Sequence, residues 1–431
     1  MSAAEGSWPQ VTYGLLGRKL GHSWSRQIHA ELGSVPYDLV ELEPDEVGPF
    51  VREGAWRGLN VTIPYKMDAA RLADERSERV ELLGAANTLV RRDDGSVLAD
   101  NTDVLGFSWM LERFCRERLG MGAAALLANE KALVLGTGGA AQAVRMSLEE
   151  AGASSVVLVS RTGEETYDGL STRHGDARLI VNATPVGMHP NCPATPLPIG
   201  QLEAFGRLAG VLDVVYNPIR TQLILDAERL GIPAEGGLGM LVAQALRSSE
   251  LFQGKTLDEG LVAPIERRLL SGMRNIVLIG MPGAGKTTTG RKLARLMGRP
   301  FIDLDDACTI EMGMTPAQRI SEYGEESFRE VESEVVARYG ASGGLVIACG
   351  GGVVTRERNR SPLLQNSLVI MLDRPLDQLS SEGRPLSGAR GVYALAEERM
   401  GAYHDWADVV HACTGSAAGD AEALFALVSE G

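Results

Sequence analysis

The chain has 431 residues, of which 44% are hydrophobic and 23% charged, as in folded proteins rather than disordered ones. This length corresponds to roughly two to four domains. The formal net charge of −14 argues against general binding to nucleic acid or anionic membranes, so an anionic ligand would need local Arg and Lys residues.

The sequence gives no sign of secretion or membrane insertion. The N-terminus MSAAEGSWPQ lacks the basic and apolar regions of a signal peptide. No apolar run reaches the roughly 18 residues of a transmembrane helix. The five cysteines are scattered without a CxxC pair, which is typical of reduced thiols. We therefore expect a cytoplasmic protein without membrane or nucleic-acid partners.

Short apolar runs typical of β-strands alternate with helical patterns along most of the chain. The clearest are KALVLG, SSVVLVS, ARLIVNAT and GVLDVVY, followed by NIVLIG, LVIACG and SLVIML. This alternation predicts an α/β protein with mainly parallel sheets. The expected domains are 1–105 (completed by a helix at about 238–254), 106–237 and, after a linker over 255–273, 274–431.

The first domain contains polar motifs that suit proton transfer. They lie in GLLGRKLGHSWSRQIH, GLNVTIPYK, GAANTLV and LADNTDVLGF. The candidate side chains are Ser23, Ser25, Lys66, Asn87, Asn101 and Asp103. A Lys and an Asp near hydroxyls and amides could move a proton to a ketone oxygen. Each stretch is also compatible with an ordinary turn or helix cap, where Asn and Asp are frequent.

A glycine loop marks the second domain. The segment GTGGAA, from Gly136 to Ala141, follows the strand KALVLG and opens a helix, which is the setting of a dinucleotide-binding fingerprint. A glycine-containing turn without a ligand is the alternative. An NAD site usually has an acid at the end of the next strand, whereas Arg161 stands there and suits the 2′-phosphate of NADP(H). The pair Glu164–Glu165 follows, where a second basic residue would favour that phosphate.

A phosphate-binding loop begins the third domain. Gly280, Gly285, Lys286 and Thr287 complete the pattern GxxxxGK[ST] between an apolar strand and an amphipathic helix. Glycines let backbone N–H groups converge on phosphate oxygens, the Lys reaches the outer phosphates, and the Thr hydroxyl holds Mg²⁺. We therefore expect ATP and Mg²⁺ here.

Charged residues follow the phosphate loop. Asp303 and Asp305 lie two apart, so that one could serve the metal and the other could accept from a substrate hydroxyl. A solvated acidic turn is the alternative. Arg329 and Glu332 are spaced i, i+3 on a helix, and an Arg held by a Glu suits a carboxylate. A plain surface ion pair is the alternative.

Three glycines and two arginines complete this series. Gly350–Gly352 follow an apolar strand and would let backbone approach a ligand closely. Arg384 in GRPLSG and Arg399 in EERMGAY could act over a phosphoryl-transfer site, although each alone would be an ordinary surface residue.

In this order, the phosphate loop, DxD, FRxxE, GGG, RPL and RxxxY closely resemble shikimate kinase over residues 275 to about 410. The resemblance implies a P-loop kinase in which Asp305 orients the substrate hydroxyl and Thr287 and Asp303 hold Mg²⁺. The implied shikimate contacts are Asp305, Arg329, Gly351 and Arg399, with both arginines on the carboxylate. The implied ATP contacts are Gly283, Ala284, Gly285, Lys286, Thr287, Thr288 and, in a lid, Arg384. Ser380 and Ser381 replace a basic residue that the family often has near the adenine.

The upstream motifs SxS, NVTxPxK, GAxNT, DNTD and GxGGAx, followed by NATPVGM, LDVVYNP and GGLGMLVAQA, resemble shikimate dehydrogenase over residues 12 to about 254. The resemblance implies an α/β substrate domain and a Rossmann-type domain, with Lys66 as the acid–base residue beside Asp103. The implied substrate contacts are Ser23, Ser25, Thr62, Asn87, Tyr216 and Gln244. The implied NADP(H) contacts are Gly136, Thr137, Gly138, Gly139, Ala140, Arg161, Val214 and Gly237. Gly21, Arg26 and Ala30 depart from the family's first motif.

Together the two resemblances imply a bifunctional enzyme. It would reduce 3-dehydroshikimate to shikimate with NADPH and then phosphorylate shikimate with ATP. Its partners would be these small molecules, and the chain would be a monomer or homodimer. Three alternatives stay open: a quinate/shikimate dehydrogenase that uses NAD, a degenerate module in one half, or a kinase for a related carboxylated polyol or a nucleoside.

Overall fold

The computed structural model describes residues 8–21, 23–379 and 391–430. The described residues divide into two compact units, taken from 1–186, 195–216 and 226–268 and from 187–194, 217–225 and 269–431. The lid residues Ser380, Ser381 and Arg384 lie outside the described residues. In the described ranges, no helix combines the length and apolar character that crossing a membrane requires.

The first unit begins with a six-stranded sheet in the order β2-β1-β3-β5-β6-β4. Its strands are β1 (Tyr13–Gly17), β2 (Tyr37–Glu41), β3 (Gly58–Val61), β4 (Glu75–Arg76), β5 (Thr88–Arg91) and β6 (Val97–Asp100). Its helices are α1 (Ser25–Leu32), α2 (Pro44–Glu53), α3 (Lys66–Leu72) and α4 (Glu78–Leu83). The core of this layer is formed by fully buried side chains such as Leu16, Phe50, Leu59, Val80 and Leu89.

This first sheet is mixed rather than parallel. β5 runs antiparallel to both β3 and β6. The reason is local: the segment RRDDGS joins β5 to β6 by a tight turn, in which Gly95 has a φ of +88°. The expectation of mainly parallel pairing is confirmed in the other two sheets.

A second, all-parallel sheet of the first unit has the order β11-β10-β9-β7-β8. Its strands are β7 (Lys131–Leu135), β8 (Ser155–Val159), β9 (Leu179–Asn182), β10 (Gly210–Asp213) and β11 (Ala234–Gly236). The surrounding helices are α5 (Thr102–Leu119), α6 (Ala123–Leu127), α7 (Gly139–Glu150), α8 (Leu170–His174), α9 (Ile199–Glu203) and α11 (Leu238–Gln253). Helix α10 (Gln222–Arg229) crosses the division between the two units, which falls between residues 225 and 226. The central strands are continuous apolar runs because helices cover both faces of such a sheet.

Helix α11 packs along α5 and also contacts α1 and β3, so it belongs to the layer of the first sheet as well as to that of the second. Residues 255–273, the expected linker, form a short 3-10 turn at Glu259–Leu261 and helix α12 (Val262–Met273).

The second unit has a five-stranded parallel sheet in the order β13-β14-β12-β15-β16. Its strands are β12 (Asn275–Ile279), β13 (Phe301–Asp303), β14 (Val346–Ala348), β15 (Ser367–Asp373) and β16 (Val409–Ala412). Its helices are α13 (Lys286–Met297), α14 (Leu304–Met312), α15 (Pro316–Tyr323), α16 (Glu325–Gly340), α17 (Arg360–Leu364), α18 (Val392–Trp406) and α19 (Ala417–Glu430). The loops after β12, β13 and β14 meet at one edge of the sheet, where α/β folds bind ligands.

Candidate functional sites

The first unit holds a Lys–Asp pair at the end of β3. Lys66 is the first residue of α3, and Asp103 lies in the first turn of α5. The Lys66 Nζ donates to Asp103 Oδ2 at 2.6 Å, with the two side chains 23% and 13% exposed. The pair is therefore fixed in geometry and still reached by solvent. A lysine ammonium group that is held in place and accessible can donate a proton to an oxygen placed beside it.

Asn87 holds the other oxygen of the Asp103 carboxylate. Its Nδ2 donates to Asp103 Oδ1 at 2.9 Å and to Thr102 Oγ1 at 3.1 Å, and its Oδ1 accepts from the Thr102 N–H at 2.7 Å. Both carboxylate oxygens thus have fixed donors. Asp103 can orient Lys66 without rotating.

Gln244 of α11 joins this cluster. Its Oε1 lies 3.4 Å from Asn87 Nδ2, while its Nε2 donates to Leu241 O at 3.0 Å. The predicted residues Lys66, Asn87, Asp103 and Gln244 therefore come together. Thr102 belongs to the same cluster, and the sequence analysis missed it although it lies within the DNTD motif.

The remaining predicted substrate residues lie outside that hydrogen-bonded cluster, as far as the described residues show. Ser23 Oγ donates to Ser25 Oγ at 3.0 Å, at the start of α1. Thr62 follows β3, and its N–H donates to Leu16 O at 2.9 Å. Tyr216 follows β10, and burial raises the pKa of its hydroxyl.

Asn101, a further candidate, has a structural position. Its side-chain oxygen accepts from the Asp103 N–H at the start of α5, and its Nδ2 donates to Ala85 O at 2.9 Å. The side chain is buried, and it caps the helix that presents Asp103.

The glycine loop after β7 has the backbone of a dinucleotide site. Gly136 has a φ of +122°, and a Cβ there would lie 3.1 Å from Ala183 O, so only glycine fits. A Cβ on Gly138 or Gly139 would meet nothing within 4 Å, which leaves space for a ligand at the N-terminus of α7. Thr137 and Ala140 complete this loop.

Three further predicted cofactor residues lie at neighbouring strand ends. Arg161 is exposed just after β8. Val214 follows β10, and its backbone lies so close to Gly237 that a side chain on Gly237 would overlap it. This close approach explains why a glycine precedes α11.

The phosphate loop of the second unit has three glycines with positive φ: Gly280 at +136°, Gly283 at +91° and Gly285 at +97°. Lys286 is 8% exposed, and its Nζ donates to Gly280 O at 2.7 Å and to Met281 O at 3.0 Å. This contact holds the ammonium against the loop that presents the backbone N–H groups.

Oxygen ligands for a hard cation lie next to this loop. Thr287 Oγ1 donates to Asp303 Oδ2 at 2.7 Å. Within the described residues, no group of three or more His, Cys, Asp or Glu side chains could hold a metal ion. A Thr hydroxyl with one carboxylate nevertheless fits Mg²⁺, which is commonly bound by one or two carboxylates together with substrate phosphates.

A cavity of about 530 Å³ brings most of the predicted kinase residues together. The predicted residues that line it are Gly283, Gly285, Lys286, Thr287, Thr288, Asp305, Arg329, Gly351 and Arg399. Its lining also includes Thr315, Pro316, Ala317 and Ile320, which the sequence analysis missed because no motif marks them. Ala284 is fully buried inside the phosphate loop.

Arg329 is a buried cation held from two sides. It is 4% exposed, with Nη1 donating to Glu332 Oε2 at 2.7 Å and Nη2 to Glu325 Oε1 at 3.0 Å. The ion pair predicted from the i, i+3 spacing of Arg329 and Glu332 is confirmed. The Arg329 Nε is buried without a hydrogen-bond partner among the described residues.

Arg399 of α18 also lines the cavity. It is 3% exposed, and its Nη1 donates to Gly351 O at 3.1 Å. The Tyr403 hydroxyl donates to the same carbonyl. These two contacts attach the glycine segment to α18 and fix the position of the guanidinium.

Asp305 faces this cavity from the start of α14. A Cβ on Gly350 would lie 2.6 Å from Asp305 Oδ1, so the glycine lets the carboxylate and the backbone approach each other. The Asp305 side chain is exposed toward the cavity, while protein atoms bury the rest of its surroundings. That burial, together with the neighbouring Asp303, raises the pKa of Asp305.

These geometries define two kinds of catalytic unit: a Rossmann-type domain beside a Lys–Asp pair, and a P-loop kinase fold with a cavity lined by Arg329 and Arg399. Residues 15–89 match the family model for the shikimate dehydrogenase substrate binding domain, and residues 282–426 match that for shikimate kinase. The NADP(+)-dependent shikimate dehydrogenase of Clostridium beijerinckii is 32% identical over 269 residues, which cover 58% of this chain and 94% of that relative.

Solved structures agree for the upstream part. Shikimate 5-dehydrogenase of Thermus thermophilus, in complex with NADP(H) and shikimate, is 30% identical, with a TM-score of 0.51 over 60% of this chain and 99% of that one. Quinate dehydrogenase of Corynebacterium glutamicum, in complex with NAD, is 27% identical, with a TM-score of 0.51 over 61% and 99%. The chain belongs to the shikimate dehydrogenase family and carries a shikimate kinase domain, so it is a bifunctional enzyme of the shikimate pathway.

Proposed function

We propose that the first unit reduces 3-dehydroshikimate to shikimate with NADPH. The fixed pair of Lys66 and Asp103, at the starts of α3 and α5, supports this reaction, because ketone reduction needs a proton donor at the carbonyl oxygen. Arg161 after β8 supports NADPH, because an arginine there suits the 2′-phosphate. The cofactor supplies a hydride to the ketone carbon.

The protein's own residues bind and orient the substrate. Ser23 and Ser25 would hold the carboxylate through their hydroxyl groups. Lys66 donates its proton to the ketone oxygen while Asp103 keeps the ammonium in place. Asn87 in turn prevents rotation of Asp103.

We further propose that the second unit transfers the γ-phosphoryl group of MgATP to the 3-hydroxyl of shikimate. Lys286 and the loop N–H groups would hold the phosphates, with Mg²⁺ on Thr287 and Asp303. Asp305 orients the attacking hydroxyl, and Arg329 binds the carboxylate. Such catalysis is mainly positioning and charge stabilisation.

The observation that carries the kinase proposal is the burial of Arg329 beside the phosphate loop in one cavity. A buried guanidinium with two carboxylate partners is costly to assemble, and a cavity that exposes its edge selects a small anionic substrate. A nucleoside has no carboxylate to place beside Arg329 and Arg399, which line the same cavity.

A coupled assay tests both steps. Purified protein receives 3-dehydroshikimate, NADPH and MgATP, while NADPH absorbance and shikimate 3-phosphate are followed together. Both signals are expected, in that order. Loss of NADPH without phosphate transfer would refute the kinase assignment, and phosphorylation of added shikimate without NADPH loss would refute the dehydrogenase assignment.

Quinate is a second candidate substrate for the first unit. The similarity to a quinate dehydrogenase and the departures Gly21, Arg26 and Ala30 in the first motif favour testing it. Quinate with NAD⁺ should then be oxidised more slowly than shikimate with NADP⁺. The reverse order would assign the first unit to quinate.

A further inference from the structure

The loop after β8 carries opposite charges that bear on the choice between NADP(H) and NAD(H), and the inference from them rests on the proposed dehydrogenase function. The Ser160 N–H donates to Glu165 O at 3.0 Å, and Glu165 pairs with Val159 in an isolated parallel bridge. The chain therefore turns back at residues 161–164. Glu165 is placed beside the end of β8, four residues after exposed Arg161.

These two residues favour different cofactors. A carboxylate at this strand end accepts from the ribose hydroxyls of NAD, whereas an arginine accommodates the 2′-phosphate of NADP. An uncompensated Glu165 would repel that phosphate. The sequence alone leaves this conflict unsettled.

Side chains of α8 compensate the negative charge of Glu165. Arg173 Nε donates to Glu165 Oε2 at 3.0 Å, and His174 Nε2 lies 3.3 Å from the same oxygen. The hydrogen bond from Arg173, with His174 close by, lowers the pKa of Glu165, so the residue is an ion at neutral pH. Its charge is compensated rather than removed.

Arg173 is held in place by the same loop. Its Nη1 donates to Asp168 O at 2.5 Å, and its Nη2 donates to Thr166 O at 2.8 Å. Exposed ion pairs usually contribute little because both side chains are mobile. Here three nitrogens of one guanidinium have fixed acceptors, so the pairing with Glu165 persists.

We propose that Arg173 is a specificity-determining residue: it neutralises Glu165 and thereby leaves Arg161 as the charge that meets the 2′-phosphate. Arg173 acts through Glu165 and is a positioning residue rather than a cofactor ligand. The preference for NADP(H) then depends on an ion pair inside the loop and not on a second arginine at the phosphate.

Two variants, Arg173→Ala alone and Arg173→Ala combined with Glu165→Gln, test this assignment. The ratio of kcat/KM for NADPH to kcat/KM for NADH is measured, together with the Kd values of NADP⁺ and NAD⁺ by titration without substrate. Arg173→Ala is expected to lower both preferences for the phosphorylated cofactor about tenfold, because it frees the Glu165 charge. Arg173→Ala combined with Glu165→Gln is expected to restore the wild-type ratios, because the Glu165 carboxylate that Arg173 neutralises is then absent.

Arg178→Ala is the matched control. Arg178 precedes β9 at the opposite end of the strands, and its Nη1 donates to Arg207 O at 2.7 Å. This variant should keep the wild-type ratios, and thermal melting shows whether each variant is folded.

Two outcomes would overturn the proposal. An unchanged ratio in Arg173→Ala would mean that Glu165 does not reach the phosphate. A double variant as poor as Arg173→Ala would mean that Arg173 itself binds the phosphate. A wild-type protein inactive with both cofactors, yet binding NADP⁺ more tightly than NAD⁺, would instead count against the proposed reaction alone.

Discussion

The glycines after β14 determine where the charged groups of the kinase cavity can lie. A Cβ on Gly352 would overlap the Arg329 guanidinium, and one on Gly350 would lie 2.6 Å from the Asp305 carboxylate. Backbone without side chains is therefore needed for Arg329 and Asp305 to face the same substrate. The sequence pattern GGG marks this need, and the structure shows which side chain each glycine admits.

Gly352→Ala should displace Arg329 and weaken carboxylate binding. Arg329 is buried and held by Glu332 and Glu325, so it can move only by breaking those bonds. We expect kcat/KM for shikimate to fall about 100-fold, because a shift of about 1 Å misplaces the clamp. The KM for ATP should change little in steady-state kinetics.

The matched control is Gly401→Ala in the interior of α18. A Cβ there meets nothing within 4 Å, and alanine favours the helix by about 0.5–1 kcal/mol. This variant should keep wild-type kinetics. Equal losses in both variants would contradict the role assigned to Gly352.

The charged form of Asp305 should be needed for phosphate transfer and should also lower the stability of the folded protein. Its pKa is raised by burial and by Asp303, so folding disfavours its charged form. A raised carboxyl pKa means that the free energy of unfolding falls as the pH rises through the folded-state pKa. We therefore expect Asp305→Asn to lose phosphate transfer and yet melt at a higher temperature than wild type at pH 7.

Measurements across pH separate this effect from a general change in packing. The difference in melting temperature should disappear below the ordinary carboxyl pKa, about 3.9, where both forms are neutral. Wild-type phosphate transfer should fall as the pH drops through the raised pKa of Asp305. A variant less stable than wild type at pH 7 would show that the Asp305 charge is not destabilising.

At the scale of elements, polar side chains of helix α11 connect the Lys66–Asp103 site to the layer of the first sheet. Ser248 Oγ accepts from Asn60 Nδ2 at 2.8 Å and lies 3.0 Å from Thr102 Oγ1. Thr102 contacts Asn87, which holds Asp103. Ser249, the next residue of α11, lies 3.0 Å from His29 Nδ1 and 2.7 Å from Ser34 Oγ. Among the described residues, neither His29 nor Ser34 hydrogen-bonds directly to Thr102 or Asn87.

This arrangement makes Ser248 and Ser249 a matched pair of buried hydroxyl groups. Each substitution by alanine should cost about 1–3 kcal/mol of stability, because a buried partner is left unsatisfied. Ser248→Ala should also lower kcat of the dehydrogenase about tenfold by loosening Asn87 and Asp103, whereas Ser249→Ala should not. Thermal melting and initial rates compare the two, and equal rates would contradict the positioning role of Ser248.

The same helix shows what sequence reasoning can and cannot reach. Lys66, Asp103 and Lys286 lie in short motifs, and the residue types and spacing of those motifs indicate a chemical role. These three residues could therefore be predicted from the sequence. Ser248 contacts Asn60, which lies 188 residues away along the chain, and no local sequence pattern predicts such a pair. The antiparallel strand β5 escaped prediction as well, because its apolar residues resemble those of parallel strands. Arg173 was missed because its role depends on the way one loop folds back onto β8.

At the scale of the whole molecule, each compact unit has hydrophobic cores of its own. The buried clusters around Leu59 and around Val134 belong to the first unit, and those around Val277 and Leu278 belong to the second. Each unit also contains the complete set of side chains proposed for its reaction. A separate core and a separate site are what an autonomous catalytic domain requires.

A single substitution in one site should therefore abolish or strongly slow that site's reaction without affecting the reaction of the other unit. Lys66→Ala should lower kcat for 3-dehydroshikimate reduction by about 10²–10⁴-fold with a small change in KM, since a positioned acid contributes to that extent. Added shikimate should still be phosphorylated at the wild-type rate. Asp305→Asn should show the opposite pattern, with normal NADPH consumption and no shikimate 3-phosphate.

An equal mixture of these two variants tests whether both sites must belong to the same chain. Shikimate released by Asp305→Asn should reach the kinase of Lys66→Ala by diffusion, because either site can bind free ligand. Shikimate 3-phosphate should then appear from 3-dehydroshikimate after a lag that shortens as the protein concentration rises. The wild-type protein at the same concentration of active sites provides the reference for that lag. A mixture that consumes NADPH and accumulates shikimate without forming the phosphate would show that the kinase accepts shikimate only from its own chain.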